Sequence, residues 1–458
     1  MKKIVCLLLI LVIAFPLVSC TRKYKAYIND VRIQDYIIVY SDEDSDYSKR
    51  AAEYIGTKIE EKTGHKISIV EDDAAKAEHE IVVGETNRAI SKKLDADTEG
   101  LEFAILADGG SIALEGDYFI IAAAAYFFID SYVPGGSSKT TVPSEVKVHQ
   151  PIVKQAKSFI LLIGDGMGYY QTRLFEQIEN NIEYGDGENF FYGDILPYRG
   201  FSITESLSGI TDSAAGGTAL SCGTKTINRY VGMDKDKNKI KNMTELAYEL
   251  GKSAAVMSTE KDTGATPSTF YAHVEDRNYN GVILAHQSSA YENYGTIVEC
   301  GYDYYTRDDV NGFIETRISD VLSQVSANSN GFFLMYEEAY IDKHCDDMDM
   351  EKSFMAMVRF NQAIGRFMEF CFYNPDTFLL ITADHETGGL APDENGVLTF
   401  STTEHTGANV PIFAYGCGAE LFDGVEIQNI QIAHTIAALM GDGNFGDQST
   451  YQSLTKGK

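Results

Sequence analysis

Five apolar runs constrain this chain more than any other feature of it. SFILLIG, KSAAVMS, GFFLMY, TFLLITA and VPIFAYG lie between residues 158 and 416, and none of them alternates cleanly between apolar and polar residues. A strand with one wet face alternates, so a run that is apolar at nearly every position must be covered on both faces. Helical patterns separate the runs, as in MTELAYELG, which Gly251 closes. Strands of this kind alternating with helices predict a mostly parallel central sheet in a three-layer α/β sandwich.

What stands at the ends of these runs points to chemistry, because open α/β sheets bind ligands beyond the carboxyl ends of their strands. SFILLIG is followed by Asp165, GFFLMY by Glu337 and Asp342, and TFLLITA by Asp384 and His385, while His405 lies just before VPIFAYG. Mixed carboxylates and imidazoles suit zinc, and an all-oxygen set suits magnesium. TDSAAGGTALSCGTKT, Thr211 to Thr226, sets Ser213 beside an acid at the start of a predicted helix. Asp212 and Ser213 are both good N-cap types. The same helix start offers free N–H groups to an anion, and the small residues around Ser213 are expected to let a substrate approach. Metal coordination is one way to activate a serine hydroxyl, and no Gly-x-Ser-x-Gly elbow supports an esterase triad instead.

Upstream, YIIVY, a helix over DYSKRAAEYIGTKIEEKTG, ISIV, EIVVG, a short helix after Thr86, a hairpin turning at Gly109 and Gly110, and an apolar helix in IIAAAAYFFIDSYV predict a small α/β domain over residues 24–134. Residues 135–156, rich in Gly, Ser, Thr and Pro, are expected to connect it to a catalytic domain over 157–450. The first twenty residues, MKKIVCLLLILVIAFPLVSC, have the basic start and apolar centre of a secretory signal, and LVSC resembles a bacterial lipobox with Cys20 as the lipidated residue. The expected location is therefore outside the cytoplasm, anchored to the cell membrane. With 38 Lys+Arg against 67 Asp+Glu and a net charge of −29, the chain lacks the basic footprint of a nucleic-acid binder. Its scattered cysteines form no disulfide pattern.

DGMG around Asp165, TDSAAGGTA around Ser213, TGATPSTFYAHVEDR from Thr263 to Arg277, the Glu337–Asp342 segment, TADHETGG around Asp384 and EHTG around His405 together resemble the alkaline phosphatase family, with the motifs in family order. The resemblance implies a phosphate-monoester hydrolase with Ser213 as nucleophile and a phosphoserine intermediate. It implies one zinc at Asp165, Asp384 and His385 beside Ser213, magnesium at Asp165, Thr266 and Glu337, and a second zinc at Asp342, His405 and the residue four after Asp342. Arg277 matches the arginine that clamps the phosphate, and Lys343 a lysine that some members hold near it through water. His273 is expected to pack rather than ligate. The family is commonly dimeric, which implies a homodimer.

One departure stands out in EEAYIDKHCDD, residues 337–347. The family pattern Glu-Gly-x-x-Ile-Asp-x-x-x-His has Glu338 here in place of glycine and Asp346 in place of histidine. Asp346 keeps the ligand spacing, and His344 and Cys345 are the other candidates to replace the missing imidazole. A carboxylate at that position hardens the site toward magnesium, manganese or calcium. Two other readings remain open from the sequence. One is a phosphodiesterase or sulfatase of the same superfamily, against which Thr266, Glu337 and Arg277 argue. The other is an impaired surface lipoprotein that binds glycans through an N-terminal region similar to accessory α/β domains of bacterial glycoside hydrolases.

Overall fold

The computed structural model describes residues 23–41, 45–94, 96–178, 190–301 and 314–457. Cys20 and the leader sequence lie outside these residues. The described residues form two compact units, one drawn from residues 23–94, 105–114 and 127–147 and the other from residues 96–104, 115–126 and 148–457.

In the first unit Ile37–Tyr40 pairs in parallel with Ile69–Glu71 on one side and Glu80–Val83 on the other, and Glu80–Val83 pairs in parallel with Ser111–Glu115. The helix Asp46–Thr63 ends at Gly64, whose φ of 75° makes the left-handed cap that glycine adopts without strain. The segment expected to be a connector is partly built into this unit, where Lys139–Thr140 pairs in parallel with Tyr27–Ile28.

The second unit is organised by eight strands: β1 Ser158–Gly164, β2 Tyr198–Ile203, β3 Ser253–Ser258, β4 Ile297–Cys300, β5 Phe332–Glu338, β6 Thr377–Thr382, β7 Val410–Tyr415 and β8 Glu426–Gln428. They lie in the order β4-β3-β5-β1-β6-β7-β2-β8. Strands β4, β3, β5, β1 and β6 run parallel, but β7 pairs antiparallel with both β6 and β2. One reversed strand is compatible with the mostly parallel sheet expected, and it explains how the segment before VPIFAYG contributes to the site. The start of β7 lies at the rim where the parallel strands end.

Every residue of β1, β5 and β6 is buried, as continuous apolar runs require. On one face Phe159, Leu161, Phe333, Met335, Phe378 and Leu380 form a cluster with residues of helices α1 Ser213–Cys222, α2 Met243–Glu249 and α5 Asn429–Met440. The opposite face carries Tyr336, whose ring stacks on Phe360 and meets Phe367 of the long helix α4 Met350–Tyr373. These are the three layers. Among the described residues no helix is long and apolar enough to cross a membrane.

Where the family pattern has glycine, Glu338 is fully buried at the end of β5. Arg359 of α4 donates to its Oε1 at 3.0 Å, and Thr259 Oγ1 and the Tyr340 amide donate to the same oxygen. Removing one member of such a pair leaves a buried, uncompensated charge. Arg359→Met should therefore cost about 3–5 kcal/mol in urea unfolding. Adding Glu338→Gln should recover much of that loss, whereas additive losses in the double variant would show that the pair is not coupled.

Candidate metal and phosphate site

The rim of the sheet is built by register. Ile163 of β1 lies beside Glu337 of β5 and Thr382 of β6, so Asp165, Glu337 and the Asp384–His385 pair emerge next to one another. The chain turns sharply after β1 at Gly166, with φ +73°, where a Cβ would stand 2.8 Å from Asp342 Cα and 2.9 Å from Thr387 Oγ1. Only glycine lets the two segments approach this closely.

Asp212 caps α1 by accepting from the Ala215 amide at 3.0 Å, and this places Ser213 at the first helical position. Two of the small residues that follow Ser213, Gly216 and Gly217, let the helix pack closely on its neighbours. A Cβ on Gly216 would lie 2.9 Å from the Asp384 carbonyl oxygen, and one on Gly217 would lie 3.0 Å from Thr269 Oγ1. Helix α1 therefore sits directly on the segments that carry Asp384 and Thr266, which holds Ser213 against them.

His385 Nε2 is the meeting point. Ser213 Oγ lies 3.2 Å from it, and Asp165 Oδ1 and Asp384 Oδ2 each lie 3.3 Å away. Its other nitrogen, Nδ1, lies 3.2 Å from Thr387 Oγ1, and that hydroxyl donates to Asp342 Oδ1 at 2.5 Å. Since the threonine proton is committed to Asp342, Nδ1 must carry the hydrogen it shares with Thr387. The Nε2 lone pair then faces two carboxylates and a hydroxyl. Complete burial, with His405 and the Arg277 guanidinium nearby, keeps this imidazole well below its ordinary pKa and therefore neutral.

His405 repeats the arrangement. Its Nδ1 donates to the Thr211 carbonyl at 2.9 Å, which turns Nε2 toward Asp342 Oδ1 at 3.5 Å. The two imidazoles stack with centroids 3.6 Å apart. Asp165, Asp384 and His385 form one set of converging ligand atoms, and Asp342, His385 and His405 form another. Two carboxylate oxygens in this region, Asp165 Oδ1 and Glu337 Oε1, are buried without a hydrogen-bond partner. Lone pairs set against carboxylates repel, and a cation between them makes the contacts favourable. The residues fit divalent metals.

Glu337 is fully buried, its Oε2 taken by Ser258 Oγ, and Thr266 Oγ1 lies 3.5 Å from Asp384 Oδ2. Arg277 points into the site with Nη1 3.4 Å from Asp212 Oδ2. Lys343 has its ammonium on Glu260 Oε1 at 3.2 Å and over the Tyr340 ring. His273 is held by the Gly232 carbonyl and Glu245.

The three candidates to replace the missing histidine separate cleanly on helix α3, Tyr340–Asp346. Asp346 is one turn beyond Asp342, on the same face. It is exposed, and desolvation together with the Asp342 carboxylate pushes its pKa up to about 6. His344 is buried against Tyr340 and near Arg359, and burial lowers its pKa. Cys345 is buried between Gln171 and Ser353, and desolvation pushes its thiol up to about 12. Among the described residues the ligand atoms that converge with Asp342 are those of His385 and His405, and none of the three candidates joins that group. Cys345 and the other four described cysteines are all free thiols.

Sequence profiles of known families match residues 156–300 and 311–401, over half of the chain, to Alkaline phosphatase. The chain belongs to the alkaline phosphatase family. It is 27% identical over 295 residues to alkaline phosphatase 4 of Bacillus subtilis (strain 168), covering 53% of this chain and 64% of that relative, slightly under two thirds of its length. It is 25% identical over 366 residues to alkaline phosphatase 3 of the same organism, covering 67% of this chain and 77% of the relative. Among solved structures, the alkaline phosphatase of the Antarctic bacterium TAB5 superimposes with a TM-score of 0.53 at 26% identity, over 63% of this chain and 99% of that one.

Sequence reasoning missed several residues that matter here. Thr387 and Thr211 fix the two imidazoles, and Glu260 sits beside Lys343 and acts on Glu337. Thr387 lies inside the quoted TADHETGG motif, but its role depends on a contact 45 residues away in sequence.

Burial and crowding raise the carboxylates of the metal-free site. Glu337 is pushed up to about 8 and Asp384 to about 6, and Asp165 is also raised. Between about pH 4 and pH 8 the folded chain then holds more protons than the unfolded one, so its stability falls as pH rises. Chelator-treated protein should melt at a lower temperature at pH 8 than at pH 5.5, and zinc plus magnesium should abolish the difference. A flat profile after chelation would contradict this electrostatic account.

Proposed function

We propose that this alkaline phosphatase family member hydrolyses phosphate monoesters through a phosphoserine at Ser213. The observation that carries the reading is Ser213 Oγ, on the first turn of α1, beside a neutral His385 whose Nε2 lone pair also faces Asp165 and Asp384.

One zinc would be held by Asp165, Asp384 and His385, a second ion by Asp342, His405 and Asp346, and magnesium by Asp165, Thr266 and Glu337. Bound there, the ions supply Lewis acidity and lower the pKa of coordinated hydroxyls and water. Ser213 Oγ attacks phosphorus in line as the alcohol departs, and water then attacks the phosphoserine from the side the alcohol left, so configuration at phosphorus is retained overall. Arg277 offers its planar donor fork to the phosphoryl oxygens while Asp212 orients it. Mutant forms of the TAB5 enzyme hold Mg, which supports a magnesium site in this family.

Asp346 supports a harder second ion. A carboxylate replaces an imidazole there, and its proximity to Asp342 adds negative charge to the site. The sequence of residues 1–20 supports export and anchoring at the cell membrane through lipidated Cys20.

Stripped protein reconstituted with zinc, magnesium, manganese or calcium should hydrolyse p-nitrophenyl phosphate in a metal-dependent manner, and Ser213→Ala should reduce kcat by more than about a thousandfold. Full activity in Ser213→Ala would reject the nucleophile. Asp346→His should raise zinc occupancy of the second site and change the metal preference, while equal occupancy and unchanged kinetics would exclude Asp346 as a ligand. For the anchor, Cys20→Ala should move the protein from the membrane fraction to the soluble fraction, and an unchanged distribution would rule out lipidation at that residue.

A further inference from the structure

Arg229 has a backbone conformation that its own side chain makes costly. Its φ is +77°, in the left-handed region where a residue with a Cβ is crowded and glycine is the usual occupant. Such a conformation persists only where the surrounding structure over-determines it. At Arg229 three contacts do so, and all of them lead to the groups that would hold phosphate. The Arg229 amide donates to Asp212 Oδ2 at 2.9 Å, and the same oxygen takes Arg277 Nη1 at 3.4 Å. The Arg229 carbonyl accepts from the Arg277 amide at 2.9 Å. Its guanidinium grips Asp276, the residue before Arg277, with Nε on Oδ2 at 3.0 Å and Nη2 on Oδ1 at 2.8 Å.

The Asp276 carboxylate is itself fixed, because Oδ1 also accepts from the Asn278 amide at 2.9 Å. Two residues further along, Val231 and Val274 exchange backbone hydrogen bonds, so residues 229–231 and 274–277 are zipped together. The Arg229 side chain is 52% exposed, and most exposed ion pairs contribute little. This pair differs in geometry, since two N–H donors meet both oxygens of one carboxylate, an arrangement that fixes direction as well as distance. What it fixes is the turn whose amide and carbonyl hold Asp212 and Arg277.

We propose that Arg229 is a positioning residue for phosphate binding: its ion pair with Asp276 holds the turn at residue 229 in the left-handed conformation, and that turn aligns Asp212 and Arg277 on the phosphoryl group. The inference rests on the reading of Arg277 as the phosphate clamp. Because the pair carries no net charge, it acts through geometry and not through the field it adds to the site.

The test is competitive inhibition of p-nitrophenyl phosphate hydrolysis by inorganic phosphate in metal-loaded protein. Asp276→Asn is the decisive variant, because it removes a negative charge beside the site. A purely electrostatic role makes phosphate bind more tightly in that variant, and a positioning role makes it bind more weakly. The expected result is a phosphate inhibition constant raised about fivefold or more in both Asp276→Asn and Arg229→Gly, the second of which keeps the left-handed backbone without strain but loses the pair. In an Arg277→Ala background both effects should fall below about twofold, because no clamp is left to position. If Arg277→Ala alone leaves phosphate inhibition unchanged, the clamp reading fails and this inference with it. If Arg277→Ala weakens phosphate while either Asp276→Asn or Arg229→Gly binds it as well as wild type, Arg229 does not position the clamp and the clamp reading stands. Equal losses with and without Arg277 would also overturn the positioning role, since they would show a general loosening of the fold.

Discussion

The site depends on the orientation of two imidazoles. Each spends its Nδ1 proton on a fixed oxygen, Thr387 Oγ1 for His385 and the Thr211 carbonyl for His405, and each therefore turns its Nε2 toward carboxylate oxygens. Such contacts are unfavourable until a cation stands between donor atoms of the same sign. The outer hydrogen bonds thus decide what the inner atoms can bind. Thr387 also ties the two ligand sets together, because its hydroxyl accepts from His385 and donates to Asp342.

The fold brings these groups together at little cost in local strain. Five parallel strands end on one rim, and the antiparallel β7 starts on that rim, so His405 is delivered from the segment before a strand while the carboxylates follow theirs. Gly166 permits the tight turn after β1, and Gly216 lets α1 rest on Asp384. A side chain at either glycine would push apart the segments that the metal ligands occupy. Packing and chemistry are therefore one constraint at these positions.

Much of this was legible in the sequence because fully buried strands leave a plain signature. Runs such as SFILLIG and TFLLITA have no wet face, and the acidic residues that end them lie where such sheets bind ligands. What could not be read follows from the same physics. An apolar run has no direction, so the reversal of VPIFAYG was hidden. The strand Tyr198–Ile203 mixes exposed and buried residues, and Ile297–Cys300 is only half-buried, so neither showed a strong pattern.

Within EEAYIDKHCDD the helix separates the acids by face. Glu337, next to last in the strand, lies inside the site, Glu338 turns away to Arg359, and Asp342 and Asp346 share one side of the helix that follows. The most direct test of the whole account is a crystal structure of the zinc-loaded protein with anomalous data at the zinc edge. The account predicts a zinc peak bonded to His385 Nε2, Asp165 and Asp384 at about 2.0–2.2 Å, with Ser213 Oγ as the next nearest group. No anomalous peak, with His385 Nε2 hydrogen-bonded directly to Ser213 or a carboxylate, would contradict it.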